Sequence, residues 1–139
     1  MGTSTRPELS ERNVYHIPKH RYYELKHFCL QYSDWKEHLR SLDGAKIQNG
    51  ISRVGSGVNE FDSDVENCAF LRLKYQNYID TVETSAREAD LFLSRWILKG
   101  VTEDLSYENL RLVHGMPCCR NTYYNCYRKF FWALDRLRE

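Results

Sequence analysis

Three thiols and an imidazole crowd the stretch VHGMPCCRNTYYNC: His114, Cys118, Cys119 and Cys126. Residues of these types hold zinc or act as nucleophiles, and each use demands a spacing. Structural zinc takes four ligands, usually from C-x(2–4)-C pairs with a second pair beyond. These four residues do not have that spacing, and neighbours such as Cys118 and Cys119 do not readily turn toward one ion. No metal and no other cofactor is expected. A thiol ahead of a helix N-terminus gains acidity, but no His and Asp or Asn constellation accompanies Cys118 or Cys119 to make a catalytic nucleophile. Glu103 and Asp104 read as charges at a helix N-terminus, and no phosphate loop is present. The chain is not expected to be an enzyme.

The same stretch supports a different chemistry. Arg120, Asn121, Tyr124, Asn125, Arg128 and Lys129 recur on one side of a helical pattern whose other side is apolar. Arginine can donate two bonds to guanine and asparagine can pair with adenine, while Arg128, Lys129 and Arg111 of the preceding segment can reach phosphates. Tyr124 can stack or touch a thymine methyl. The net charge is only +1, yet from Cys118 to Glu139 five basic residues stand against Asp135 and Glu139. The cations are gathered where such a reader would lie.

Helices must position that face. In SYENLRLVHGMP, Ser106 is an N-cap, Tyr107, Leu110 and Val113 mark a buried face, Gly115 ends the helix and Met116-Pro117 turns the chain. A second helix starts near Cys119 or Arg120 and buries Tyr123, Tyr127, Phe130, Leu134 and Leu137. Trp132, off that stripe, fits a dimer contact or a groove against the first helix. Helix, glycine-containing turn and basic helix over residues 106–137 is the helix-turn-helix order.

This segment resembles region 4 of bacterial sigma-70 factors, in SYENL as a first helix, in the Gly-hydrophobic-Pro turn and in the basic second helix. The order of the whole chain is similar to small phage and prophage transcription regulators of the RinA/ArpU late-activator type, on the stretches RYYELKHFCLQYSDWK, LKGVTEDLSYENL and GMPCCRNTYYNCYRKFFW. The resemblance implies an all-α fold and a role in phage gene control. Cys118-Cys119-Arg120 makes the turn a residue or two longer than in sigma factors.

Upstream, residues 1–17 are polar and aperiodic, a tail ahead of one helical domain over 18–139. Tyr22, Leu25, Cys29, Tyr32, Trp35, Leu39 and Leu42 mark one helix starting at Pro18 and ending at Asp43-Gly44. Residues 44–62, glycine-rich and without period, read as a flexible loop. From Ser63 a heptad-like stripe (Val65, Cys68, Leu71, Tyr75, Tyr78, Val82, Ser85 and Ala89) predicts a long helix able to pack on the first or on a copy of itself, in a homodimer. Asp90 caps a shorter helix that Gly100 stops.

About five helices, all-α, with a C-terminal helix-turn-helix, is the expected fold. Five cysteines in no framework spacing and no apolar leader predict a cytoplasmic chain with reduced thiols. No apolar run is long enough for a membrane span. The expected partner is double-stranded DNA. The alternative is an interaction protein of a phage that uses the same helices to hold host RNA polymerase, a defence nuclease or another host protein.

Overall fold

The computed structural model describes residues 14–52 and 58–139, and the side chains of 14–43 and 65–139. Among them every regular element is a helix: α1 (Lys19–Cys29), α2 (Tyr32–Ser52), α3 (Val58–Ala89), α4 (Ser94–Glu103), α5 (Tyr107–Leu112) and α6 (Arg120–Leu137). The chain is all-α, as its periodicity predicts.

Among the described residues six helices stand where about five are expected, because the first expected helix is two. The Gln31 N–H bonds the Phe28 carbonyl at 3.2 Å, while the Gln31 side chain takes the His27 carbonyl at 3.3 Å. A side chain that occupies the carbonyl four residues back removes a rung of the ladder. Apolar spacing cannot reveal this, since Cys29, Tyr32 and Trp35 are buried on both sides of the break.

The expected loop over 44–62 is helical wherever it is described, for α2 runs on to Ser52 and α3 begins at Val58. Residues 53–57 lie outside the described residues. A glycine inside a helix costs about 1 kcal/mol relative to alanine, and Ala45, Lys46 and Gln48 are strong helix formers. Of the expected tail, residues 1–13 also lie outside the described residues. Of the remainder Val14 is exposed, but Ile17 is buried and the Tyr15 ring meets Trp132 edge-on at 5.3 Å. Such a segment has no period to betray it.

Two compact units result. One joins the described residues up to Gln31 to Thr81–Glu139, and the other is Tyr32–Asp80. The sequence suggests one domain over 18–139 because the second boundary falls inside α3, with no glycine, proline or polar linker to mark it.

In the first unit α1, α4 and α6 pack on one another and α5 packs on α4. Phe130, Phe131 and Leu134 of α6, Leu25 and Cys29 of α1, Ile97 of α4 and Leu110 of α5 are fully or almost fully buried, together with Val82 and Ala86 from the end of α3. Phe131 meets Tyr22 at 5.1 Å and Phe130 at 4.9 Å, both edge-on, the arrangement the ring quadrupoles favour. Arg138 lays its guanidinium 3.6 Å over Phe28, which ties the end of α6 to α1. Truncating a ring such as Phe130 to alanine would cost about 3–5 kcal/mol.

Three expected placements differ. Val113 and Leu137, expected in the core, are exposed, because α5 ends at Leu112 and α6 reaches its last turn at Leu137. Gly100 does not stop α4. The helix runs to Glu103, and Asp104 ends it in the left-handed region at φ 55°, a conformation in which Asp is enriched among non-glycine residues.

In the second unit Trp35 packs on Tyr78 with centroids 5.2 Å apart, His38 stacks on Tyr75 at 4.9 Å, and Arg72 reaches Asp43 at 2.7 Å. These contacts hold α2 against the earlier part of α3. The expected stripe of α3 agrees from Cys68 onward, but Val65 is exposed, as are Phe70 and Leu73.

Candidate nucleic-acid interface

The start of α6 is set by a turn whose carbonyls are taken up by side chains. Ser106 caps α5 by accepting the Asn109 N–H at 3.1 Å. Gly115 has φ 70°, which glycine adopts without steric cost, and the Met116 N–H returns to the Leu110 carbonyl at 3.1 Å. The Trp96 indole N–H donates to the His114 carbonyl at 3.0 Å, and the Tyr107 hydroxyl donates to the Cys118 carbonyl at 2.7 Å. With Met116 buried between these bonds, the entry to α6 has little freedom.

Asn121, Asn125, Arg128 and Trp132 follow at steps of four, three and four, so they form one outward stripe. Asn121 and Asn125 are exposed, and Arg128 donates to the Asn125 side-chain oxygen at 3.0 Å. Lys129, half-buried, lies beside the stripe, and Arg111 is exposed on α5. The stripe is open over its first turns and covered farther along, where Tyr15 lies against Trp132 and Arg136 stacks on it at 4.6 Å. Of the two uses expected for Trp132, the chain ahead of α1 supplies a third: a cover within the same unit.

Arg120 and Tyr124 turn to the other flank. The Arg120 guanidinium is ion-paired with Glu108 and lies over the rings of Tyr107 and Tyr124, at 5.9 and 5.5 Å. The Glu108 backbone N–H, then Arg120, holds its carboxyl below the ordinary range. Tyr124 packs edge-on against Tyr123 at 5.0 Å and Tyr127 at 5.7 Å. The seven residues expected at the interface thus fall into an outward group and a pair at its edge.

Tyr124 of that pair lines a cleft of about 340 Å³ between α1, the end of α4 and α6. Its walls include Tyr22, Tyr23, Tyr123, Tyr124, Tyr127 and Phe131, with Lys26, Asp104 and Glu108 at the mouth. The Tyr22 and Tyr127 hydroxyls share a hydrogen bond of 2.6 Å, and Lys26 stands 3.6 Å from the Asp104 carboxylate. The Tyr123 hydroxyl is buried with no hydrogen-bond partner. Burial raises the Tyr123 and Tyr127 phenols well above their ordinary range. Gly100 gives the Tyr123 hydroxyl its room, since a side chain there would overlap it. Sequence reading misses the cleft, whose one visible signal is a glycine in the middle of an apolar helix.

The thiols differ by environment. Cys119 is exposed, and the Thr122 hydroxyl at 3.2 Å together with the Thr122 backbone N–H lowers its pKa. Burial pushes Cys118 up and Cys126 up to about 11. Among the described residues no group of three or more His, Cys, Asp or Glu could hold a metal ion, and no helix is long and apolar enough to cross a membrane. In comparisons with protein-family models, curated proteins and solved structures, nothing matches this chain.

Proposed function

We propose that the chain binds double-stranded DNA through the first turns of α6, with Asn121 and Asn125 at base edges and Arg128, Lys129 and Arg111 on phosphates. The observation that carries this reading is the open stripe of Asn121, Asn125 and Arg128 at the start of a helix whose entry is fixed by Trp96 and Tyr107. A reader helix needs such an exposed, polar N-terminal half on a rigid mount. Helix α6 carries four cations and one acid, and that acid, Asp135, is bonded to Arg21 at 2.6 Å. Arg120 contributes by exchange: its pair with Glu108 is exposed to solvent, which makes it a small restraint for a group that a phosphate or guanine would attract. The resemblance of the C-terminal stretch to sigma-factor region 4 and to phage regulators supports a phage or prophage gene-control setting in the cytoplasm.

A second reading has its own observation. Leu91 and Phe92 ahead of α4, and Leu112 and Val113 at the end of α5, are large, apolar and exposed. Both pairs flank Trp96, whose ring lies 6.1 Å from Phe92 and whose indole bonds the His114 carbonyl. An apolar surface of this kind suits a protein partner such as host polymerase or a second copy of this chain. Salt separates the two readings. Binding to random duplex, followed by fluorescence anisotropy, should weaken linearly with log salt at about −0.9 per phosphate contact, close to −3 for three cations. A chain that binds no duplex at low salt would leave the protein-partner reading in its place.

A further inference from the structure

We infer that the surface around Trp96 docks an acidic amphipathic helix of a partner protein, one whose apolar residues at three- and four-residue steps are interleaved with Asp or Glu. The inference rests on the protein-partner reading and names that partner's chemistry; it does not depend on α6 meeting DNA. Leu91, Phe92, Leu112 and Val113 are between 67% and 77% exposed, so all four side chains are open to a guest. Trp96 gathers them. The Phe92 ring lies 6.1 Å from it, and its indole N–H donates to the carbonyl of His114, the residue after Val113, at 3.0 Å.

Charge selects the guest. Arg95 stacks over the Trp96 ring at 4.1 Å, and Arg111 adjoins Leu112 in the chain. Both are exposed, and among the described residues neither is paired with a carboxylate. The acids of the same stretch of chain are engaged. Asp90 accepts the Leu93 N–H at 2.9 Å, Glu103 pairs with Lys99, Asp104 with Lys26 and Glu108 with Arg120, while Glu88 lines a groove with Lys129 and Arg136. Two unpaired guanidinium groups among bare apolar side chains attract carboxylates, which arginine can hold through two parallel bonds.

The shape of the guest follows from what the surface lacks. Among the described residues there is no strand edge for a peptide to join, and Phe92 is a single exposed ring where a proline-rich segment needs a groove of them. A helix presenting anchors at i, i+3 and i+4 is the mode that remains. A second copy docking through the same surface would bring arginines to face arginines, since an isologous contact repeats one patch on both sides. Two cations fall short of the clusters of about 4–8 by which anionic lipid surfaces are recognised. A nucleic acid would leave the four apolar side chains against phosphates.

Selection against the full chain from a displayed library of random peptides, about 15 residues or four helical turns long, tests this. Peptides with apolar residues at three- and four-residue steps and interleaved Asp or Glu should be enriched. In fluorescence anisotropy with the leading peptide, Phe92→Ser and Leu112→Ser should each weaken binding at least about tenfold. Arg95→Glu combined with Arg111→Glu should do the same, and that variant should bind a version of the peptide with lysine at each acid better than the parent does. Circular dichroism of each variant confirms that it is folded. Peptides without acids that bind through Phe92, or an acidic peptide that the double charge reversal leaves as tight, would overturn the inference and keep the protein-partner reading. A dimer of the chain that Leu112→Ser dissolves would overturn it too, as would binding to vesicles of phosphatidylserine and phosphatidylcholine that Phe92→Ser abolishes. Failure to select any peptide that depends on Phe92 would remove the inference and the protein-partner reading together.

Discussion

Gly100→Ala should change sign with the residue at position 123. In a helix interior, alanine for glycine is worth about 1 kcal/mol of stability. At Gly100 the new methyl group would overlap the Tyr123 hydroxyl and lie 3.0 Å from Leu110 Cδ1. Overpacking of that kind costs about 1–3 kcal/mol, so in the parent the substitution should be neutral to destabilising by up to about 2 kcal/mol. Tyr123→Phe removes the overlapping atom and, with it, a buried hydroxyl that has no partner. That change alone should stabilise the chain by about 1 kcal/mol, because the ring keeps its neighbours while an unmet desolvation cost of about 1–3 kcal/mol disappears. With phenylalanine in place, the nearest remaining atoms to the methyl are Leu110 Cδ1 at 3.0 Å and the ring carbon that bore the hydroxyl at 3.5 Å. Gly100→Ala should then stabilise by a few tenths to about 1 kcal/mol. Urea unfolding of the four proteins, read as midpoint shifts at constant slope, gives a coupling of about 1–3 kcal/mol. Equal effects of Gly100→Ala in both backgrounds would refute the close approach of α4 and α6. A destabilising Tyr123→Phe would show that the hydroxyl is satisfied.

Three further outcomes follow from the placement of single groups. On a duplex the protein selects, Asn121→Ala and Asn125→Ala should cost about 1–3 kcal/mol while leaving random DNA little affected, whereas Arg128→Ala and Lys129→Ala should weaken all duplexes and flatten the salt slope by about one each. Uniform binding by the asparagine variants in quantitative shift assays would remove the stripe from base recognition. Alkylation followed by mass spectrometry should modify Cys119 first, at a rate that climbs at lower pH than for an ordinary thiol, since Thr122 lowers its pKa. Cys126, raised to about 11, and buried Cys29 should react only when the chain opens, and early loss of Cys126 would contradict the packing of α6. Stability should hold up to about pH 8.5 and fall above it. The unfolded chain releases thiol and phenol protons near pH 8.5 and 10, while burial keeps them on Cys29, Tyr123 and Tyr127 in the folded chain. Thermal midpoints that stay level to pH 11 or so would contradict those burials.

What the sequence makes legible is what obeys a local rule. Ser106 caps three residues ahead of the N–H it accepts, Gly115 takes a backbone angle that glycine tolerates, and Tyr123, Phe130 and Leu134 keep a helical period, so each can be read without knowing its neighbours in space. The break at Gln31 escapes because a side chain competing for one carbonyl leaves the apolar stripe intact. The continuation of α2 past Gly44 escapes because a glycine lowers helix propensity without forbidding a helix. The cleft escapes for another reason. Its Tyr22 and Tyr127 hydroxyls meet across 105 positions, and no spacing rule reaches that far. Arg120 lies between these cases: its helix and its charge are visible, but its pairing with Glu108 depends on how α5 meets α6.

The three indoles of this chain fall in three different environments. Trp35 sits with Tyr78 in the second unit, Trp132 lies under Tyr15 where the outward stripe closes, and the Trp96 N–H is bonded to the last carbonyl before the glycine that turns the chain into α6. In a nitrogen–proton correlation spectrum each contributes one indole signal, far from the backbone amides. The protein therefore carries one native reporter for its smaller unit, one for the turn ahead of α6 and one for the cover on that helix, and the order in which the signals shift during a titration tells where a ligand arrives.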